Sequence, residues 1–260
     1  MKTVNVLAAL AGLGLAGAAL GQTGTGFTIT DGTAVFTQGN TPTTVSSSGP
    51  TSDLKFAGPT GQDQLFKTFW WYRVDGVHTR ENAFNNQVGP TVVAGNSATQ
   101  NFATPEFTAV LNYGVLNVAG TALLTQTMTI TPLVQGNLHL FNYADYFVNG
   151  ADANDVVSLV NPNNLRVTDV HILDHIGALS GAYQAGPFNS ILGQLTNTSV
   201  TNLANTVDGT PGDREGGFQW TIAMVPGQPL VLTSVISVPG PGSLALLGLG
   251  GLVAARRRRA

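Results

Sequence analysis

The segment His171-Ile172-Leu173-Asp174-His175 carries the sharpest chemical pattern in this 260-residue sequence. Two imidazoles at i and i+4, with Asp169 nearby, lie on one side of a helix and could share a zinc ion. The Glu of a zinc-protease helix is missing, and a strand would also put both histidines on one face, so neutral core or polar histidines are the plainer reading. His78 and His139 add nothing to the pattern without geometry. Asp152-Ala153-Asn154-Asp155, and the group Asp208, Asp213 and Glu215, offer the oxygen ligands that calcium takes on exported loops. Neither group has the central Gly and closing Glu of a calcium-binding loop, and Asx turns account for both.

Acid–base and nucleophilic chemistry is thinly provided for. Ser180-Gly181 lacks the Gly-x-Ser-x-Gly frame of a nucleophile elbow. Gly248-Leu249-Gly250-Gly251 sits in an apolar run and is no phosphate loop. The glutamates are Glu81, Glu106 and Glu215, so a glycosidase-type carboxyl pair would have to come mostly from aspartates. The expectation is therefore a chain that is not an enzyme, with no catalytic residue, metal or cofactor. Phe66, Phe69, Trp70, Trp71 and Tyr72 make the densest aromatic run. Trp70, Trp71 and Tyr72 are the candidates for stacking on sugar rings. Aromatics on both faces of one strand, however, suit burial better than a binding platform.

The elements that must position these groups read as β. In 26–37, Phe27, Ile29, Ala34 and Phe36 alternate with threonines around Asp31-Gly32, a tight hairpin. A loop rich in Thr, Ser, Pro and Gly follows over 39–53. Strands are expected over 64–75, 107–118, 121–134, 137–148, 156–160, 165–172, 218–225 and 230–238, with one short helix within 188–206. In 121–134, Leu124, Gln126, Met128, Ile130 and Pro132 share one face. Many short strands between Gly, Pro, Asn and Asp turns predict an all-β body, an antiparallel β-sandwich of jelly-roll-like type.

Composition bounds the partners. Charged residues are 10% of the chain, against about a quarter in ordinary domains. There is no cysteine, so disulfides and thiolate metal sites are excluded. Between residues 22 and 237 lie Lys55, Lys67, Arg73, Arg80, Arg166 and Arg214 against all 14 acids, a net charge near −8. That balance disfavours nucleic acid as a partner.

Both ends read as addresses. Lys2 precedes an apolar stretch over 6–20, and Ala19-Leu20-Gly21 places small residues before Gln22, the pattern of a signal peptide over 1–21 cut by signal peptidase. At the other end Val238-Pro239-Gly240-Pro241-Gly242 precedes an apolar run over 243–255 and the cluster Arg256, Arg257, Arg258 and Arg259. The run is short of the roughly 20 residues that a spanning helix needs, and the arginines favour holding that end in the cytoplasm.

This tail resembles the PEP-CTERM sorting signal, with Gly240 where the family has Glu. The resemblance implies an exosortase, a membrane cysteine protease, as processing partner. It also implies transient anchoring in the inner membrane, an exopolysaccharide system, and delivery to the cell surface or extracellular matrix. The chain then divides into a signal peptide (1–21), a β-sandwich body (22–237) and a transmembrane sorting tail (238–260). Three readings of the body follow: a non-enzymatic structural or interaction role, a carbohydrate-binding module for exopolysaccharide, and a glycan-active or metal-dependent enzyme around His171, Asp174 and His175.

Overall fold

The computed structural model describes residues 26–40, 52–56, 62–118 and 120–239. The signal-peptide site at Ala19, Gly21 and Gln22, the motif residues Gly240, Pro241 and Gly242, the apolar run 243–255 and Arg256 to Arg259 lie outside them.

The described residues are almost wholly strand. In chain order they form β1 (Phe27–Asp31), β2 (Ala34–Gln38), β3 (Ser52–Phe56), β4 (Leu65–Val74), β5 (Asn82–Ala83) and β6 (Val92–Ala94). Next come β7 (Ser97–Ala103), β8 (Phe107–Val118), β9 (Thr121–Pro132), β10 (Gly136–Tyr146), β11 (Val156–Asn161) and β12 (Asn164–Thr168). The last are β13 (Ile172–Gly177), β14 (Ala182–Pro187), the short helix α1 (Leu192–Thr196), β15 (Thr206–Val207), β16 (Arg214–Met224) and β17 (Leu230–Pro239).

Three sheets result. One has eight strands in the order β11-β12-β13-β17-β9-β8-β7-β6, one six in the order β15-β14-β16-β10-β4-β5, and one three in the order β1-β2-β3. The two large sheets pack face to face as an all-β sandwich. Chain neighbours pair mostly as hairpins, and the eight-plus-six arrangement differs from the two Greek keys of a jelly roll, which corrects the finer expectation. No helix among the described residues is long and apolar enough to cross a membrane.

Alternation explains the outer strands. In β9 every second residue from Ala122 to Pro132 is buried and the others are partly exposed, as expected of a sheet with one wet face. In the first hairpin the turn residues are Gly32 and Thr33, Asp31 pairing with Ala34, and Gly32 takes the positive φ (57°) that the turn requires. Phe27 and Phe36 carry this small sheet onto Tyr113 of β8.

The centre of the six-stranded sheet is buried on both sides. Its inner face, with Trp70, Asn142 and Phe218, meets the eight-stranded sheet: Trp70 Nε1 donates to Gln126 Oε1 at 2.9 Å, and Ser234 Oγ donates to Asn142 Oδ1 at 2.6 Å. The segment 188–205 crosses its outer face. Arg73 Nη1 donates to the Thr201 carbonyl at 2.6 Å, and Gln219 Oε1 accepts from Leu203 N at 2.8 Å. The helix expected in that segment is limited to α1. The strand β17 continues to Pro239, past the expected body boundary at 237: Val238 pairs with Ala122 and Pro239 with Thr121.

Candidate functional site: an acidic pocket with an aromatic rim

Burial removes the first candidates. Trp70, Trp71 and Tyr72 lie in the middle of β4, enclosed by one layer on each side, and no sugar ring can stack on them. They are core residues, and the sugar-stacking role expected for them is corrected. His175 is also enclosed. Its Nε2 bonds Asn142 Oδ1 at 2.8 Å, and its Nδ1 bonds Tyr146 Oη at 3.0 Å. An amide oxygen only accepts, so the neutral ring carries its proton on Nε2. Burial holds the imidazole down at about 3. With both nitrogens taken, this ring cannot ligate zinc. Asp174 forms a two-bond pair with Arg166, 2.8 Å at each contact. In β13 the adjacent Asp174 and His175 point to opposite faces of the sheet, and His171 lies just before the strand. No group of His, Cys, Asp or Glu able to hold a metal occurs among the described residues.

Of the oxygen clusters, the structure keeps some members and disperses others. Asp208 Oδ1 accepts from Thr210 N at 2.9 Å, an Asx turn, and its Oδ2 pairs with Arg214 at 3.2 Å. Glu215 is fully buried beneath the 188–205 segment, accepting from Tyr143 Oη at 2.7 Å, Leu192 N at 3.1 Å, Ser190 Oγ at 3.2 Å, and Ile191 N. Asp155 Oδ2 accepts from Val148 N at 3.3 Å. Burial raises this carboxyl to about 7.

Asp152 and Asp213, in contrast, come together with a residue that no sequence pattern singled out. A pocket of about 220 Å³ at one end of the six-stranded sheet is lined by Asp145, Asp152, Asp213, Phe66, Phe147 and Phe188, with Tyr146 also in its wall. Asp145 ends the outer face of β10, opposite Lys67 of β4 and Glu215 of β16. Its side chain is 3% exposed, and it has no side-chain hydrogen bond or ion pair among the described residues. Burial, reinforced by Asp213 and Glu215 and opposed by Lys67, raises it to about 8. Asp213 is raised too, first by burial and then by Asp152 and Glu215. Asp145, whose hold on its proton is raised by burial, thus faces a pocket shared with two further carboxyl groups, the kind of pairing that acid–base catalysis uses.

The rim follows from a break in register. Asp145 opposes Lys67, but Tyr146 opposes Leu65, which leaves Phe66 as an extra residue. Such a bulge re-aims a side chain, and Phe66 stands 42% exposed in a strand whose other side chains are buried. Phe188, 55% exposed, is held on the other side by Phe188 N donating to the Asp213 carbonyl at 3.1 Å. Apolar rings beside carboxyl groups match the mixed surface of a sugar, whose C–H faces stack and whose hydroxyls bond. A second, shallower depression of about 300 Å³ is lined by Leu179, Trp220, Ile222 and Val231 among others and contains no ionisable group.

No family model matches the chain, and no curated protein matches it. Solved structures do. A bacterial glucoamylase complexed with acarbose superposes at a TM-score of 0.53 with 10% identity, over 91% of this chain and 36% of that one. An aldose epimerase homologue from C. elegans gives 0.45 and 10% identity over 82% and 97%. The heparan sulfate lyase HepC from Pedobacter heparinus gives 0.43 and 12% over 80% and 33%. The chain spans about a third of the length of the glucoamylase, and that likeness is one of fold. It nevertheless corrects the expectation that the chain is not an enzyme: the body has a fold that a carbohydrate enzyme contains. The physical reason is visible in the pocket, where Asp213 joins Asp145 and Asp152 from more than 60 positions further along the chain.

Proposed function

We propose that this chain is an exported carbohydrate-active protein that binds a glycan in the Asp145 pocket and acts on it by acid–base chemistry. The observation that carries the reading is Asp145: buried, without a side-chain hydrogen bond among the described residues, and facing a pocket walled by Phe66 and Phe188. Its proton would go to the oxygen of a leaving group or ring, and Asp152 or Asp213 would serve as the complementary base. The rings would orient the sugar by stacking. The glucoamylase-like fold supports a carbohydrate as the substrate class.

The test is a panel of glycosides and polysaccharides, exopolysaccharide included, incubated with the purified full chain and followed for new reducing ends or altered anomeric configuration. Turnover that is lost in Asp145→Asn, while the variant still unfolds cooperatively above the assay temperature, supports the reading. Turnover that is indifferent to Asp145→Asn, or none on any glycan, would sink it.

The terminal signals supply the location in this reading. Signal peptidase would remove 1–21, and an exosortase would process the tail after transient insertion in the inner membrane, leaving the body at the cell surface or in the matrix. Val238 is buried and paired with Ala122 of β9, and Pro239 with Thr121, so a cut that spares the sandwich would fall beyond Pro239. The intact mass of the native protein tests both steps: a chain running from Met1 to Ala260 would refute them.

A further inference from the structure

We propose that the pocket selects a sugar that carries a protonated amine, in preference to neutral or acidic sugars; the inference rests on the carbohydrate reading and narrows it. The argument is one of charge and contact. Asp145, Asp152 and Asp213 line the cavity, and Glu215 adds its charge from behind. Among the described residues Lys67 is the cation acting on Asp145. Arg214, next to Asp213, acts on that carboxyl group but is shared with Asp208, so two cations face Asp145, Asp152, Asp213 and Glu215. The pocket is therefore short of positive charge by more than one unit whenever its acids ionise.

A further observation points to a cationic ligand. Asp145 faces the cavity with no hydrogen-bond donor among the described residues, although it is nine-tenths buried, where an unpaired carboxyl group is costly. An ammonium group in the pocket would supply the missing donor and charge together, and charge-assisted bonds are about twice as strong as neutral ones. Lys67 Nζ lies 5.7 Å from the centroid of the Phe66 ring, so an ammonium group of the ligand would be drawn to the carboxyl groups on the far side of the pocket and not to that ring. The groups facing Asp145 from every packed element are Lys67 on β4, Glu215 on β16, Asp213 before it and Asp152 in the loop after β10. A uronic or sulfated sugar would meet these acids with like charge.

Calorimetric titration of the purified full chain at pH 6 tests this with four probes: glucosamine, glucose, glucuronic acid and ethanolamine. The expected result is glucosamine at least about tenfold tighter than glucose, equivalent to one charge-assisted contact, with glucuronic acid weaker than both. Asp145→Asn and Asp213→Asn should each bring glucosamine down to the glucose level while the variants still unfold in a single cooperative transition. Equal affinity for glucose and glucosamine, or tightest binding of glucuronic acid, overturns the amine preference while leaving the carbohydrate reading in place. Ethanolamine as tight as glucosamine overturns the sugar. Failure of all four probes overturns both.

Discussion

Trp70 Nε1 donates a hydrogen bond to Gln126 Oε1 at 2.9 Å across the buried seam between the two large sheets. Gln126 Nε2 in turn donates to Thr68 Oγ1 at 3.1 Å. One polar pair thus fixes the lateral position of β4 against β9 in an otherwise apolar interface. All three tryptophans of the chain, Trp70, Trp71 and Trp220, are buried. Acrylamide should leave the tryptophan emission of the native protein nearly unquenched, with or without sugar. Trp70→Phe should strand the Gln126 oxygen and lower stability by about 1–3 kcal/mol, read from denaturant melts.

Stability should fall as pH rises from about 6.5 to 8. Asp145 and Asp155 have folded-state values raised to about 8 and about 7, so between their ordinary range and those values the folded chain binds more protons than the unfolded one. Their contribution is complete in acid and is lost as pH climbs through the raised values. His175 works in the opposite sense, because its lowered value costs stability as pH falls from 6.5 toward about 3. The two trends oppose each other below pH 6.5, and above it the aspartates act alone. Thermal melts of the parent and Asp145→Asn check this: the variant should show a flatter slope over pH 6.5 to 8.

The rim rings should matter to binding and little to folding. Phe66 and Phe188 are half exposed, so Phe66→Ala and Phe188→Ala should each leave stability within about 0.5 kcal/mol of the parent. Each should weaken glycan binding about three- to tenfold, the value of one aromatic contact. The calorimetric titration reads both effects.

Glu215 should be the most sensitive buried acid. It takes hydrogen bonds from Tyr143 Oη, Leu192 N, Ile191 N and Ser190 Oγ, and so fastens the start of α1 to the outer face of β16. Glu215→Ala leaves those donors without an acceptor and should cost at least about 3 kcal/mol. Hydrogen exchange at Ile191 and Leu192 should rise, and Glu215→Gln should restore part of the loss.

The sequence by itself determined the all-β class, the hairpin around Gly32 and the long strands β8 and β9, because period-two alternation reports a sheet with one buried face. It also marked β4 as a strand buried on both sides, through aromatics at consecutive positions. Only the tertiary structure decided where chemistry is possible. Asp145 follows Asn142-Tyr143-Ala144 with no motif around it, and its environment is made by Lys67, Asp213 and Glu215, far away along the chain. The position of Phe66 at the rim depends on a register shift, which no local pattern encodes. His171 and His175 show the converse: a spacing with chemical meaning came to nothing because burial gave both ring nitrogens of His175 to Asn142 and Tyr146. Periodicity is a local property and survives in the sequence; a carboxyl group's proton affinity is set by what long-range packing brings beside it.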